Sequence, residues 1–275
     1  MSANRIAVST WSVHKHLGVT YRNGPGAKPS CEPQLTFGAG DIAFLDLPGA
    51  LAKRGYFRAE ICHFHLARQD GRYLAKVRDA FRAAGVVIQT LLIDDGDITD
   101  PATRERDLAW IEGFIVAAGT LGAENARVIA GKQKPAVQSL TLAVTALDGL
   151  VPVAKGHGVR LVTENWFDLL ATEKEVHHVL DAVGDSLGFL ADMGNWHGPG
   201  KYAALQSVYG RAELSHTKCH FGDGLAMDRD DYRRCLEASA KAGYKGPHTL
   251  IFESPGEEWE GLAMERAFVL DYIGA

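Results

Sequence analysis

Four acidic or imidazole side chains lie at the ends of apolar stretches in the second half of this 275-residue chain. Glu164 ends VRLVTE, Asp192 ends LGFLAD, His216 follows ELS and Glu253 ends HTLIFE. A carboxylate on an apolar strand is costly to bury unpaired, and a bound cation gives four such groups a reason to lie together. Carboxylate oxygens with one imidazole suit Mn²⁺ first, and also Mg²⁺, Co²⁺ or Zn²⁺. The sequence therefore predicts one divalent metal ion held by these four residues.

Further polar side chains lie beside these four in sequence or at the end of another apolar stretch. Lys218 is expected either over a substrate oxygen or as the partner of a carboxylate. His63 and His65 are two positions apart, so their side chains would point to the same face of a strand. They are expected either both to face the site or both to bind backbone carbonyls. The candidate substrate-binding residues are His63, His65, Asn165, Asn195 and Lys218.

The elements that must position these residues are short β-branched runs that alternate with longer stretches of helical period. This alternation is typical of βαβ units around a parallel sheet. Eight runs are predicted as strands: Arg5–Thr10, Phe57–Cys62, Val86–Leu92, Asn125–Ala130, Val159–Glu164, Leu187–Asp192, Glu213–His220 and His248–Glu253.

Glycines and capping residues mark the predicted helix ends. Gly85, Gly122, Gly158 and Gly243 each stand where a helix needs a left-handed residue before the next strand. Helices are predicted to start at Asp100, which Pro101 follows, and at Asp228. Eight repeats with no linker or composition shift favour one domain, residues 1–275, with an α/β (β/α)₈ TIM-barrel fold. Active sites of such barrels lie at the carboxyl ends of the strands, which is where the candidate ligands fall.

The long connection after the first strand, from about Trp11 to Phe44, is rich in glycine and proline. Long loops of this kind are often binding loops, so we expect this one to cover the mouth of the barrel. Trp11, His14 and His16 follow the same strand and either form a wall of the pocket or belong to an ordinary loop. The acidic run from Asp94 to Asp97 is interpreted as a solvated turn.

Composition excludes several classes of protein. The chain is 46% hydrophobic with a formal net charge of −5, and it has no Lys/Arg cluster, so a nucleic-acid partner is not expected. No uninterrupted apolar run is long enough to cross a bilayer, and the first residues lack the features of a signal peptide. Four scattered cysteines without a CxxC pair are expected to be reduced thiols, so a cytoplasmic protein with no membrane partner is predicted.

The ordered motifs GVRLVTEN, FLADMGN, SHTK and GPHTLIFE resemble the xylose-isomerase-like barrel superfamily, which includes sugar isomerases and epimerases, across essentially the whole chain. The resemblance implies that Glu164, Asp192, His216 and Glu253 bind the metal. It also implies that Glu164 and Glu253 move a proton through an enediolate-like intermediate of a small sugar or polyol. Many sugar epimerases of this group have a histidine where this chain has Asn195, which leaves the substrate and the reaction open. His220 or Asp223 are alternatives to His216.

Three other functions remain open. A dehydratase or other lyase acting on an inosose or keto-sugar would use the same metal-stabilised chemistry. An endonuclease resembling the abasic-site enzymes of this fold needs more metal ligands and a basic surface. A sugar-binding barrel without catalysis would keep the architecture alone. The family often pairs barrels, so a homo-oligomer is compatible with the resemblance, and Trp259 either lies in such an interface or packs a helix onto the barrel.

Overall fold

Eight parallel strands close into one barrel in the computed structural model, which describes residues 5–27 and 30–273. All eight predicted strands are present, and the fold is a (β/α)₈ TIM barrel. The strands are β1 Ile6–Ser9, β2 Arg58–Cys62, β3 Val87–Ile93, β4 Asn125–Val128, β5 Arg160–Glu164, β6 Gly188–Asp192, β7 Leu214–Lys218 and β8 His248–Ile251. The predicted β7 and β8 were each two residues too long at the carboxyl end, because the chain leaves the sheet after Lys218 and Ile251.

Eight helices follow these strands in turn. They are α1 Leu47–Lys53, α2 Gly71–Ala83, α3 Arg104–Leu121, α4 Val137–Gly156, α5 Glu173–Val183, α6 Lys201–Tyr209, α7 Arg229–Lys241 and α8 Glu258–Ile273. Each lays an apolar face on the barrel; in α2 this face is Tyr73, Leu74, Val77 and Phe81.

The predicted helix ends are largely confirmed. Gly85, Gly122, Gly158 and Gly243 all have positive φ between 68° and 79°, and Asp228 caps α7 by accepting a hydrogen bond from the backbone of Asp231. The predicted start of α3 at Asp100 is wrong. The Asp100 side chain accepts from the backbone N–H of Ala102 and so closes a turn, and the helix begins only at Arg104.

Strand register places the predicted ligands on one rim of the barrel. Asp192 on β6 is the direct neighbour of His216 on β7, and β1 closes the barrel by pairing with both β8 and β2. Because side chains alternate along a strand, the residue two positions before each ligand also points into the barrel. Val162, Leu190 and Leu214 occupy these positions and form a buried apolar cluster of their own. We call this cluster the floor, because its members stand one inward-facing layer below the ligands.

In its described residues, the long connection between β1 and α1 carries three small elements: a 3₁₀ helix at Thr10–Val13, a one-turn helix at His14–Leu17, and a two-stranded hairpin of Thr20–Tyr21 with Pro33–Gln34. Tyr21, Arg22, Asn23 and Gly24 from this connection line the cavity at the carboxyl ends of the strands. The connection therefore supplies part of the wall of this cavity, and the expectation that it covers the mouth of the barrel stays a prediction.

Helix α4 is long and apolar enough to cross a membrane by length and composition alone. In the fold it is one of the helices that surround the barrel. Ala143, Leu147, Leu150 and Ala154 lie on its buried face, and Asp148 interrupts its apolar character. The core helix of a soluble protein passes the same test.

Candidate functional site

A cavity of about 600 Å³ opens at the carboxyl ends of the strands. Its lining combines charged groups with aromatic rings: Trp11, Tyr21, Arg22, His63, Phe64, Asp94, Asp95, Arg127, Glu164, Trp166, Phe167, Asp192, Asn195, His216, Lys218 and Glu253 belong to it. The candidate site is thus where active sites of this fold occur.

Three of the four predicted ligands meet in this cavity. Glu164, Asp192 and His216 each offer one atom, and these atoms all lie within 4.8 Å of one another. Their exposed fractions are only 3%, 3% and 6%. The three residues end, or nearly end, the consecutive strands β5, β6 and β7, and their side chains converge because adjacent parallel strands run in register. We refer to them as the ligand triad.

His216 presents its Nδ1 atom to the other two members of the triad. This nitrogen lies 3.5 Å from Glu164 Oε1 and 3.4 Å from Asp192 Oδ2, while Nε2 lies 2.8 Å from Oε2 of Glu60. Burial alone would lower the pKa of His216, but the carboxylates of Glu164 and Glu60 outweigh it and raise the pKa well above its usual value. A carboxylate that fixes one ring nitrogen while the other faces the cavity is the usual arrangement for a metal-ligating histidine.

Glu60 is held on β2 by three partners. Its Oε1 accepts hydrogen bonds from Gln89 Nε2 and Thr90 Oγ1, each at 2.9 Å, and its Oε2 is bound by His216. The β2–β3 register shifts between Ala59 and Glu60, and such irregularities re-aim side chains. Burial would raise the pKa of Glu60, but His216, Gln89 and Thr90 lower it below its usual value, so Glu60 is held as a carboxylate.

Asp192 uses its two oxygens differently. Oδ1 accepts from the backbone N–H groups of Gly194 and Asn195, at 2.5 and 2.9 Å, while Oδ2 faces His216. Burial would raise the pKa of Asp192, but the bond from His216 and the charge of Lys218 lower it. Asp192 therefore closes a turn with one oxygen and belongs to the triad with the other.

Glu164 is placed between an amide and a guanidinium. Its Oε1 accepts from Asn195 Nδ2 at 2.9 Å, and its Oε2 lies 3.0 Å from Arg127 Nε. That contact is an ion pair without hydrogen-bond alignment, so the buried Oε2 accepts no hydrogen bond from the described residues. A buried carboxylate oxygen that accepts no hydrogen bond, in a residue beside a second carboxylate and an imidazole, fits a ligand to a cation.

Glu253 stands apart from the triad. It lines the same cavity, but its side chain is 35% exposed and its Oε1 lies 2.6 Å from Lys218 Nζ. Of the two roles expected for Lys218, the structure therefore shows the pairing with a carboxylate. Burial would lower the pKa of Lys218, but the charges of Asp192 and Glu253 raise it, so the lysine is a cation beside the triad.

The other predicted substrate-binding residues are divided between the cavity and the surrounding structure. Asn195 and His63 line the cavity. Asn165 does not, because its side chain is bonded to both the N–H and the C=O of Asp192, at 2.7 and 3.0 Å. His65 does not either: its Nδ1 is bonded to Thr10 Oγ1 at 2.9 Å. The strand ends at Cys62, so His63 and His65 lie in a 3₁₀ turn and strand parity does not apply to them.

The prediction of a solvated turn at Asp94 is wrong. The residue is not solvated, since its side chain is only 13% exposed, and it is paired with Arg127 on β4. Sequence reasoning missed both Arg127 and Glu60. Each is a charged residue inside a predicted strand and not at its carboxyl end, so the pattern that identified Glu164 and Asp192 did not select it; a charged side chain among buried strand residues is the signal that could have found both.

The three side chains that follow the first strand in sequence, Trp11, His14 and His16, do not lie together in the fold. Trp11 lines the cavity. His14 faces Glu258, and His16 lies between Asp41 and Glu257, at 2.8 and 2.7 Å. Trp259 lies under the Arg54 guanidinium, 4.1 Å from the ring centre.

The donor set fits a divalent cation. Two carboxylates and an imidazole nitrogen converge in a buried space, and five lining carboxylates face three lining cations. The carboxylates are Asp94, Asp95, Glu164, Asp192 and Glu253, and the cations are Arg22, Arg127 and Lys218. The remaining acidic excess favours a bound positive charge.

Comparison with known proteins places the fold in a family. A family model described as xylose isomerase-like TIM barrel matches residues 48–270. No curated protein matches the sequence at a significant level.

Solved structures resemble the whole chain in fold. D-psicose 3-epimerase in the presence of D-fructose has a TM-score of 0.70 at 14% identity, with 98% of this chain and 100% of that chain covered. A xylose isomerase-like TIM barrel protein from Mycobacterium smegmatis in complex with magnesium has a TM-score of 0.67 at 18% identity, covering 99% and 98%. The IOLI protein with a bound zinc atom has a TM-score of 0.67 at 16% identity, covering 98% of each chain. At these identities the likeness shows the fold alone.

Proposed function

This chain belongs to the xylose isomerase-like TIM-barrel family, and on that premise we propose that it is a metal-dependent isomerase or epimerase of a sugar or a related polyol. The buried triad of Glu164, Asp192 and His216 is the observation that carries the proposal. Neighbours in fold that act on sugars, or that bind magnesium or zinc, support it. We propose Mn²⁺ as the working ion.

Glu164, Asp192 and His216 would hold the ion, and we propose Glu253 as a fourth ligand. When bound, a divalent ion supplies the Lewis acidity that polarises a sugar carbonyl and acidifies the neighbouring C–H bond. The chain's own residues do the rest. Glu60 fixes the ring of His216, Asn195 fixes Oε1 of Glu164, and Arg127 lies between Glu164 and Asp94 and is paired with both.

We assign the proton transfer to two glutamates: Glu164, which ends β5, and Glu253, which follows β8. Both carboxylates border the cavity, so a sugar bound there is within reach of Glu164 and Glu253. Lys218, paired with Glu253, is a cation placed to stabilise negative charge that develops on a substrate oxygen. Five aromatic side chains, those of Trp11, Tyr21, Phe64, Trp166 and Phe167, line the cavity together with the charged groups.

The four cysteines are unpaired, and burial raises the thiol pKa of three of them, Cys62, Cys219 and Cys235. Free thiols, three of them buried and unreactive, support our proposal that the protein works in the cytoplasm.

The proposal is tested by metal removal and by isotope exchange. Protein dialysed against a chelator is expected to lose activity on a panel of ketoses and inososes and to regain it with Mn²⁺. Turnover in D₂O should place deuterium at the carbon next to the carbonyl. Activity that survives complete metal removal would contradict the mechanism, and a product lighter by one water would identify a dehydratase instead.

Two variants show whether the glutamates act as assigned. Glu164→Gln and Glu253→Gln should each lower kcat by about 10²-fold or more, because each removes a proton-transfer group. Glu213→Gln is the matched control, since Glu213 is exposed and paired with Arg160 at the opposite end of the barrel. An unchanged kcat in either site variant would remove that residue from the proton transfer.

A further inference from the structure

We propose that Phe167, together with Trp166, forms an aromatic platform that selects a substrate with a second ring, such as a disaccharide or an aryl glycoside. The inference rests on the proposed function, because it places the reacting sugar at the ligand triad. It deepens that function by naming the substrate class. Phe167 acts as a specificity residue.

The platform is a stack that begins at the triad. Arg127, which is paired with Glu164, has its guanidinium carbon 5.1 Å from the ring centre of Trp166. The rings of Trp166 and Phe167 follow, with centroids 4.4 Å apart and planes inclined by 30°. The stack runs from the buried triad to the exposed edge of the cavity, where the side chain of Phe167 is 37% exposed.

The backbone of Phe167 has a conformation that side chains disfavour. Its φ is 58° and its ψ is 178°, a region occupied almost only by glycine. The ring is only partly buried in return: 37% of Phe167 stays exposed, Trp166 packs against the ring, and Lys132 Nζ lies 5.4 Å from the ring centre. Strain that is not compensated by core packing, and that lies at a cavity wall, indicates that the ring has a function there.

The cavity is also larger than a single sugar needs. Its volume of about 600 Å³ lies within the range of sites for drug-sized ligands. Trp11, Tyr21 and Phe64 line it together with the platform, so much of the wall away from the triad is aromatic. Aromatic faces pack against the C–H face of a pyranose or against an aryl ring. A second ring joined to the reacting sugar would fill this space.

Melting temperatures test whether the backbone of Phe167 is strained, and this test needs no substrate. Phe167→Gly and Phe167→Ala both remove the ring, but only glycine relieves the backbone. We expect the glycine variant to melt above the alanine variant by about 2–4 °C, the reverse of the usual order. Phe57 is the matched control, because it is 40% exposed and has no positive φ. Phe57→Gly should melt below Phe57→Ala. A Phe167→Gly variant that melts below Phe167→Ala would overturn the strained platform.

Binding tests the substrate class. Mn²⁺-loaded protein is titrated with phenyl and methyl β-D-glucopyranosides, the corresponding galactosides, and cellobiose, with tryptophan fluorescence and calorimetry as readouts. We expect phenyl glycosides or cellobiose to bind about three- to tenfold more tightly than methyl glycosides. Tighter phenyl glycosides identify an aryl substituent, and tighter cellobiose identifies a second sugar. Phe167→Ala should abolish the preference, while Phe167→Tyr and Phe57→Ala should keep it.

The outcomes separate this inference from the proposed function. Tight Mn²⁺ binding without any preference for a second ring overturns the platform and leaves the proposed function standing. Equal preference in wild-type protein and Phe167→Ala does the same. Failure of Mn²⁺ to bind the wild-type protein contradicts the proposed function itself, and the melting order of the Phe167 variants then still decides whether the backbone is strained.

Discussion

At the residue scale, the site depends on how each ligand is held by a partner that does not itself belong to the triad. Glu60 fixes Nε2 of His216, Asn195 fixes one oxygen of Glu164, and backbone N–H groups fix one oxygen of Asp192. For His216 and Asp192 the atom that remains faces the triad, whereas in Glu164 the oxygen that Asn195 fixes, Oε1, is also the one that faces His216. The geometry is therefore built before any cation arrives, which lowers the ordering cost of binding.

Glu60 gives the sharpest prediction at this scale. Glu60→Gln removes the charge that orients His216 while keeping the shape of the side chain, so Mn²⁺ affinity should fall by about tenfold or more. Calorimetric titration of metal-free protein measures it. Glu213→Gln, the same change on the exposed end of β7, should leave affinity unchanged. Equal affinities for the Glu60 variant and wild type would show that this carboxylate does not support the site.

At the element scale, strand alternation explains both what the sequence predicted and what it missed. The carboxyl end of each strand could be read directly, because an apolar run followed by a lone carboxylate needs no partner to be recognised. Which residues pair with the ligands could not be read: Glu60 and His216 are 156 residues apart, and only barrel closure brings β2 within reach of β7. The pairing of Arg127 with Asp94 depends in the same way on the register of β3 and β4. His65 and Asn165 were assigned to the site by position alone, and local turns direct them elsewhere.

The prediction at the element scale concerns the floor, the apolar cluster beneath the triad. Leu190 is fully buried between Val162 and Leu214, directly below the level of the ligands. Leu190→Ala should lower the free energy of unfolding by about 2–5 kcal/mol because it leaves a cavity inside the barrel. Val116→Ala is the control, since Val116 is 39% exposed and its truncation should cost little. Urea unfolding compares the two, and equal costs would show that the floor does not support the rim.

At the scale of the whole molecule, closing the barrel and covering it with helices buries histidines that must stay neutral. Burial lowers the pKa of His65 and His248 to about 3 and that of His63 to about 4. The unfolded chain binds protons at these positions near pH 6.5, whereas the folded chain does not. Their stabilising contribution is therefore complete above pH 6.5 and is lost as the pH falls toward the folded values.

His248 allows this acid sensitivity to be measured away from the metal site. It lies at the start of β8, is 2% exposed and is bonded to Thr217 Oγ1 at 3.1 Å. Between pH 7 and pH 5 one such histidine should cost about 2 kcal/mol of stability. His248→Asn should reduce the loss of unfolding free energy over that interval by about this amount. His157→Asn, a change at the exposed end of α4, is the control. An unchanged pH dependence in the His248 variant would show that this residue is protonated in the folded protein.

The central claim concerns a cation at the triad, and anomalous diffraction from crystals grown with Mn²⁺ tests it most directly. The account predicts one strong anomalous peak per chain, within coordination distance of Glu164, Asp192 and Nδ1 of His216, and its distance from Glu253 decides the fourth ligand. The peak should vanish in His216→Asn. A well-ordered cavity without a peak at saturating Mn²⁺, or a peak bound by other residues, would contradict the account.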